Sequence, residues 1–554
     1  MQLNPRQVTL HSLLLGRLFR IPDYQRAYAW ETKQRGDLFN DIDEVQRSGQ
    51  DHFMATVVCL ARDKRQIVAD EYQAVDVVDG QQRLTTLVIL LKAVEKALDA
   101  KQSDEGKIKR EIGELLVKGD EHSLLLLQTN HDSSSVFIDY LRRGRIHNAK
   151  NIKTAADYNL VMAAIECELF VSRWQEESGL IALVAILRNR LSLIYHELLD
   201  ESVVYRVFEV LNSRGLDVKW IDKVKSQLMA LIFIHADNGA RADAINEMHV
   251  IWKDIYWTLG LRGDLGDEAL RFAGTWKAPQ RPNRALSQEA ASEAILGAAG
   301  TALSTINDAG RWLKAVVEAV NKLNRNVRLS AVTRIVHARF VATAILLREF
   351  PPDIEARLLG QWERVTFRIF GLYGADTRFK VGDYIRLGYD VIARKLGPEP
   401  ISAALKKLGN GYSIEEIWED IDWTQCYEGW TEELRYLMFR YDEYHAKKAG
   451  EKINIGQWNK IWEVDPSKSI EHITPQNSEE DYVHHLGNLT MLPPGVNSSL
   501  KDKPPAEKAA TYRQCGLRGT VAVANMIEAR TWNEASVLAR AAEIEAFVRE
   551  EWAD

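Results

Sequence analysis

The stretch "VVDGQQRLTTL" (residues 78–88) decides the reading of the first domain. β-branched residues run into Asp79 and Gly80. From there Leu84, Leu87, Val88, Leu91, Val94 and Leu98 fall at helical spacing, so the order is strand, turn, helix. Upstream, "FMATVVCLARD" (53–63) and "YQAVDVVDG" (72–80) flank the charged connection "KRQIVADE" and predict a hairpin. Three large polar side chains, Gln81, Gln82 and Arg83, crowd the first turn of the helix. The first N–H groups of a helix lack partners and carry the positive end of its dipole, so such a turn receives an anion. Gly80 permits close backbone approach, Arg83 can pair with a phosphate in bidentate fashion, and the two amides can orient a phosphate oxygen or a water. The plainer alternative has Asp79 capping the helix and Arg83 paired with a nearby acid.

A chain of 554 residues has room for two to four domains and more than one core. Only 14 prolines interrupt the chain, which favours a helix-rich globular protein over a disordered one. The formal charge of −7 would repel nucleic acid as a whole, so binding to it requires local basic patches. Cys59, Cys167, Cys426 and Cys515 form no C-x-x-C pair and read as buried free thiols of a reducing compartment. The N-terminus lacks the pattern of a signal peptide, and runs such as "SLLLL" (123–127) and "MALIFI" (229–234) are too short to span a bilayer. A cytoplasmic protein without a membrane partner is the expectation. Helical spacing dominates residues 105–275, with "LSLIYHEL" as a candidate strand that would complete the N-terminal sheet from far downstream. "KAPQRPNRALSQEA" (277–290) reads as a linker, and helices resume from about 290 to 445.

Two further clusters accompany the first. "IPDYQRAYAWE" (21–31) sets Tyr24, Gln25, Arg26, Tyr28 and Trp30 together, and "FEVLNSRGLDV" (208–218) puts Glu209, Asn212, Ser213 and Arg214 ahead of Gly215, a helix C-cap candidate. Three such clusters in one domain suggest a shared polar pocket. Together, "IPDYQRAYAW", "VVDGQQRLTTL" and "VFEVLNSRGLDVKWIDKVKS" resemble the ParB/sulfiredoxin-like domain at the N-terminus of GmrSD-like, modification-dependent (type IV) restriction endonucleases, over roughly residues 5–230. The resemblance implies binding and hydrolysis of an NTP, GTP or ATP. Its implied site is Asp79, Gly80, Gln81, Gln82 and Arg83 with Tyr24, Gln25 and Arg26, to which Asn212 and Arg214 are added from the third cluster. No G-x-x-x-x-G-K-[ST] loop is present, so the nucleotide would not be held as in a P-loop protein.

Near the other end, "SIEHITPQNSEEDYVHHLGNLTMLPPGVNSSLKDKPPAEK" (469–508) predicts strand, loop, strand and short helix, with His472, Asn488 and Asn497 where the elements converge. Phosphodiester hydrolysis needs a base to activate water, a cation against the charge building on phosphate, and a group that orients the base. His472 suits the base, Glu471 and Asn497 are hard oxygen donors suited to Mg²⁺ (or Mn²⁺), and Asn488 can tie down the loop or orient His472. The plainer alternative is a set of turn residues around satisfied core histidines. This stretch resembles the HNH, or ββα-metal, nuclease domain of the same restriction family. The resemblance implies His472 as general base, Asn488 as the middle Asn, and Glu471 and Asn497 as metal ligands. Glu471 stands where many HNH enzymes carry Asp, and Asn497 replaces the final His. His484 and His485 are candidates for phosphate contact or an extra ligand. Lys501, Lys503, Lys508, Arg513 and Arg518 supply the local basic surface that the net charge demands.

The fold class expected is multidomain and mainly α with α+β parts. It comprises a ParB/sulfiredoxin-like core (1–105), a helical extension completing that domain (106–280), a helical domain (290–445), and an HNH region with a C-terminal helix (446–554). The function expected is an NTP-regulated, metal-dependent HNH endonuclease acting in anti-phage defence on double-stranded DNA, in particular modified phage DNA, with a homodimer admitted. A nucleotide-responsive DNA-binding regulator with a weak HNH domain, and a sulfiredoxin-like phosphotransferase, are the alternatives.

Overall fold

The computed structural model describes residues 5–22, 25, 27–118, 125–128, 134–198, 219–262, 264–326, 334–529 and 532–553. Tyr24, Arg26, Asn212 and Arg214, and with them most of the third polar cluster, lie outside the described residues. The chain divides into two compact units, residues 1–277 with 286–321, and residues 278–285 with 322–554. The helices Gln288–Ala299 and Leu303–Arg325, grouped by sequence with the later helical domain, thus fall wholly or largely in the first unit. The linker candidate is coil over 278–287. Its residues 278–285 join the second unit, where Arg281 pairs with Asp390 and the Tyr389 hydroxyl donates to the Ala278 carbonyl at 3.2 Å.

The first unit is built on a six-stranded mixed sheet in the order β1-β6-β3-β4-β2-β5. Its strands are β1 (Arg6–Thr9), β2 (Arg17–Ile21), β3 (His52–Ile67), β4 (Asp70–Asp79), β5 (Leu126–Gln128) and β6 (Leu191–Leu198). "LSLIYHEL" is therefore a strand. It lies between β1 and β3, antiparallel to the first and parallel to the second, so the sheet depends on sequence far beyond residue 105. The β3–β4 hairpin is longer than its pattern indicated. "KRQIVADE" is mostly ladder, paired to Ile67–Asp70 and turned at Val68, which takes φ +54°. No Gly or Asn marks that turn, so turn chemistry could not signal it.

Behind β4, the helix Gln81–Ala97 is apolar almost all round, and 13 of its residues from Gln81 to Val94 are buried. A helix with no solvent face belongs in a core, and here it packs among the helices Ala155–Glu177, Ser103–Leu116 and Ser134–Arg143.

The second unit is helical apart from a short antiparallel pair, β7 (Ile470–His472) and β8 (Leu489–Met491), in register Glu471↔Thr490 and His472↔Leu489. The helix Pro494–Leu500 follows β8, giving the expected strand, loop, strand, helix order. The C-terminal helix Glu534–Glu551 packs on this hairpin. All four cysteines are free and buried, and no helix among the described residues is long and apolar enough to cross a membrane.

Candidate functional sites

In the first unit Gly80 is the N-cap of the Gln81–Ala97 helix at φ +90°, and no side chain caps it, so Asp79 is not the cap. A Cβ at Gly80 would stand 3.1 Å from Val57 Cγ2 and 3.2 Å from Thr56 O. The glycine is thus demanded by its own dihedral and by β3, independently of any ligand. Gln82 is buried and its amide is engaged at both ends: Oε1 accepts from Ala29 N at 2.7 Å and Trp30 N at 3.3 Å, and Nε2 donates to Ala27 O at 3.1 Å. Gln25, also buried, donates to Val78 O at 2.7 Å and takes a hydrogen bond at its carbonyl from Lys225. These two amides were expected at a phosphate. Instead they splice the segment 25–30 onto the strand-to-helix turn, because a buried backbone edge with no ladder partner must find side-chain ones. Thr86 extends the splice, donating to Gln82 O and accepting from the Tyr28 hydroxyl.

Arg83 differs. Its guanidinium lies 5.6 Å from the Trp30 ring centroid and has no hydrogen bond or ion pair among the described residues. Burial depresses its pKa, with Asp41 and Asp79 opposing at longer range. A half-buried cation left without hydrogen-bond acceptors is suited to an incoming anion. Gln81, likewise buried, spends its side-chain amide on no described partner. Trp30 also walls a cavity of about 890 Å³, whose other lining includes Tyr28, Lys33, Tyr158, Asn159, Lys219, Asp222 and Tyr256. Residues 27–30 of the first motif and Lys219, Ile221 and Asp222 from the end of the third motif line it, whereas the polar cluster 208–218 lies outside the described residues and residues 79–83 are not part of the lining. Tyr158, Asn159 and Tyr256 carried no motif that would have marked them.

In the second unit His472 closes β7 and is 7% exposed. Its Nε2 meets His484 Nδ1 at 3.2 Å, and the Tyr427 ring lies edge-on at 4.7 Å while stacking flat on His484 at 5.4 Å. Burial, reinforced by His484 and Lys508, pushes the His472 pKa down to about 4. The ring is neutral at neutral pH, held at one nitrogen, with no described partner on Nδ1. A neutral imidazole with an unengaged ring nitrogen can accept a proton.

Asn488 is fully buried. Its Oδ1 accepts from Thr474 N at 2.8 Å, and its Nδ2 donates to Thr474 O at 3.0 Å and Val483 O at 2.9 Å. With no atom left for water or substrate, it holds the loop between the strands and is not a catalytic group. Asn497 donates to Lys468 O and Ile470 O, both at 3.1 Å, which pins its helix to β7 and leaves Oδ1 as its free polar atom.

Glu471 points away from His472, as strand alternation requires. It is 5% exposed and accepts from the Tyr512 hydroxyl at 2.7 Å and from Lys508 at 2.8 Å. Burial raises its carboxyl above the usual range, with Lys508 and Tyr512 opposing. An ammonium already stands where a metal ligand would need a divalent ion. Among the described residues no three His, Cys, Asp or Glu side chains cluster to hold a metal. The expected Glu471–Asn497 donor pair does not fit Mg²⁺ as arranged.

Comparison with known proteins adds two matches. The GmrSD restriction endonuclease N-terminal domain matches residues 10–229, and the GmrSD restriction endonuclease C-terminal domain matches residues 412–546. Together they span more than half of the chain, in the order that the two sites occupy.

The chain belongs to the GmrSD restriction endonuclease family.

Family membership makes it a restriction nuclease of the modification-dependent kind, with DNA as its substrate. No curated protein matches it. Within the GmrSD C-terminal domain, two expected DNA contacts are corrected. Lys508 is 1% exposed, its stem buried and its ammonium spent on β7. His485 is buried and accepts from Gly487 N at 3.2 Å, a turn residue. Lys501 and Lys503 are exposed with no ion pair among the described residues, whereas Arg513 pairs with Glu528 and Arg518 with Glu451. The signal that sequence reading missed here is Arg540. It is buried in the tail helix and donates to the carbonyls of Leu486, Gly487 and Leu489, the last two at 2.8 and 2.7 Å.

Proposed function

We propose that this restriction nuclease cuts the phosphodiester backbone through an HNH-type site in which His472 is the general base, and that a nucleotide bound at Arg83 regulates cutting. The observation that carries the nuclease reading is His472: a buried, neutral imidazole with Nε2 held by His484, at the end of a strand pair followed by a short helix. In the reaction, Nδ1 takes the proton of the attacking water. His484 fixes the ring, Tyr427 packs against both imidazoles, and Lys501 and Lys503 supply positive charge to the DNA backbone. A Mg²⁺ or Mn²⁺ requirement belongs to the same proposal, without Glu471 among the donors.

Nucleotide regulation rests on Arg83 and the adjoining Trp30-walled cavity. The phosphates would meet the guanidinium and the helix N-terminus, and the aromatic lining would take the base.

The test is a cleavage panel on matched DNAs carrying different modifications, with and without ATP or GTP, in Mg²⁺, Mn²⁺ or EDTA. His472→Ala abolishes cutting of every substrate, and Arg83→Ala removes the nucleotide dependence. Cutting by His472→Ala at the wild-type rate would refute the nuclease site. Identical cutting with and without nucleotide in wild type would refute the regulation.

A further inference from the structure

The Lys508 ammonium has three oxygen neighbours, matching its three protons: Glu471 Oε1 at 2.8 Å, His472 O at 2.6 Å and Ile473 O at 3.3 Å. All three belong to β7 or the residue after it. Lys508 and Tyr512 are four residues apart on the helix Pro505–Gln514 and so share a face, and both engage the same Glu471 oxygen. Glu471 and Lys508 are almost wholly buried. A buried ion pair is costly to break, because removing one partner strands the other charge in a low dielectric. The carbonyls that Lys508 holds are that of His472 itself, bonded directly to the Cα from which the side chain projects, and that of the next residue, Ile473.

We propose that Lys508 is a resident monovalent cation in place of a divalent one, and that Glu471 is a positioning residue rather than a metal ligand. The Glu471–Lys508–Tyr512 triad clamps the backbone on the far side of β7 and so aims His472 at the DNA. A divalent ion on the same carboxylate would face the ammonium at close range, a like-charge contact in a buried site. Any divalent ion used in cutting is therefore held without Glu471. The inference rests on the reading of His472 as the base only for its catalytic consequence, since the triad itself is independent of it.

The test uses the full chain, first without DNA and in EDTA. Glu471→Gln and Lys508→Met each lower the melting temperature of the second unit by roughly 5–15 °C, and the double variant recovers most of the summed loss. A carboxylate kept free for a metal would behave oppositely, because neutralising it in EDTA would leave the melting temperature unchanged or raise it. Additive single losses, or a neutral Glu471→Gln, overturn the proposal. The second readout is the Mg²⁺ titration of cutting. Glu471→Gln lowers the maximal rate and leaves the Mg²⁺ midpoint within about threefold, whereas a disturbed metal site shifts affinity by about 10–100-fold. A shift of that size also overturns it. If His472→Ala cuts normally, the His472 reading fails while the melting cycle still decides the triad.

Discussion

At the scale of single residues, type and role separate. Gln82, Gln25 and Asn488 all looked like site residues, and each proved to satisfy a stretch of backbone that has no ladder partner. Asn488→Ala therefore strands Thr474 N, Thr474 O and Val483 O, and should lower the stability of the second unit by about 2–4 kcal/mol in urea unfolding. Asn488→Asp should be at least as harmful, since a carboxylate cannot donate to the two carbonyls. His472 carries the pH expectation. Its pKa lies near 4 in the fold, so the acid limb of the cutting rate should fall near pH 4, well below the ordinary histidine value of 6.5. Single-turnover rates from pH 4 to 8 check this, and a limb near 6.5 would mean that His472 is solvated.

Elements add what residues lack. His472 and the buried His337, whose pKa burial also drives down to about 4, bind protons more readily unfolded than folded. Their stabilising contribution is thus fully present above pH 6.5 and is lost as pH falls from 6.5 toward 4, on the order of 3 kcal/mol each. Melting at pH 7.5 and 5.0 should show the loss, and His337→Phe should reduce it. The tail helix Glu534–Glu551 reaches the hairpin through Arg540, and Gly487 exists because that helix is so close: a Cβ there would stand 2.0 Å from Val537 O. Gly487→Ala should therefore displace the helix, cost about 3 kcal/mol or more and lower cutting, whereas Gly495→Ala, with open space around it, should do neither. Far-UV circular dichroism during urea unfolding compares the two.

Across the whole molecule, two cores predict two unfolding transitions, so the calorimetric enthalpy should exceed the van't Hoff value. Saturating nucleotide should raise only the transition of the first unit, by about 2.7 kcal/mol at one hundred times Kd, and not in Arg83→Ala. A shift that survives Arg83→Ala would place the nucleotide elsewhere. Local periodicity, turn chemistry and motif spacing in the sequence suffice for the strand-turn-helix at residues 78–88, the β7–β8 hairpin with its following helix, and the family. The sequence could not determine the extent of β3, whose turn at Val68 carries no turn residue, nor the grouping of residues 286–321 with the first unit. Least of all could it say what Lys508 and Glu471 do. A lysine at the end of the charged, proline-containing run "KDKPPAEK" reads as solvated, and a glutamate beside a candidate base reads as a ligand. Only packing brings the two charges together at 2.8 Å and excludes water from both, and that burial is a property of the assembled fold.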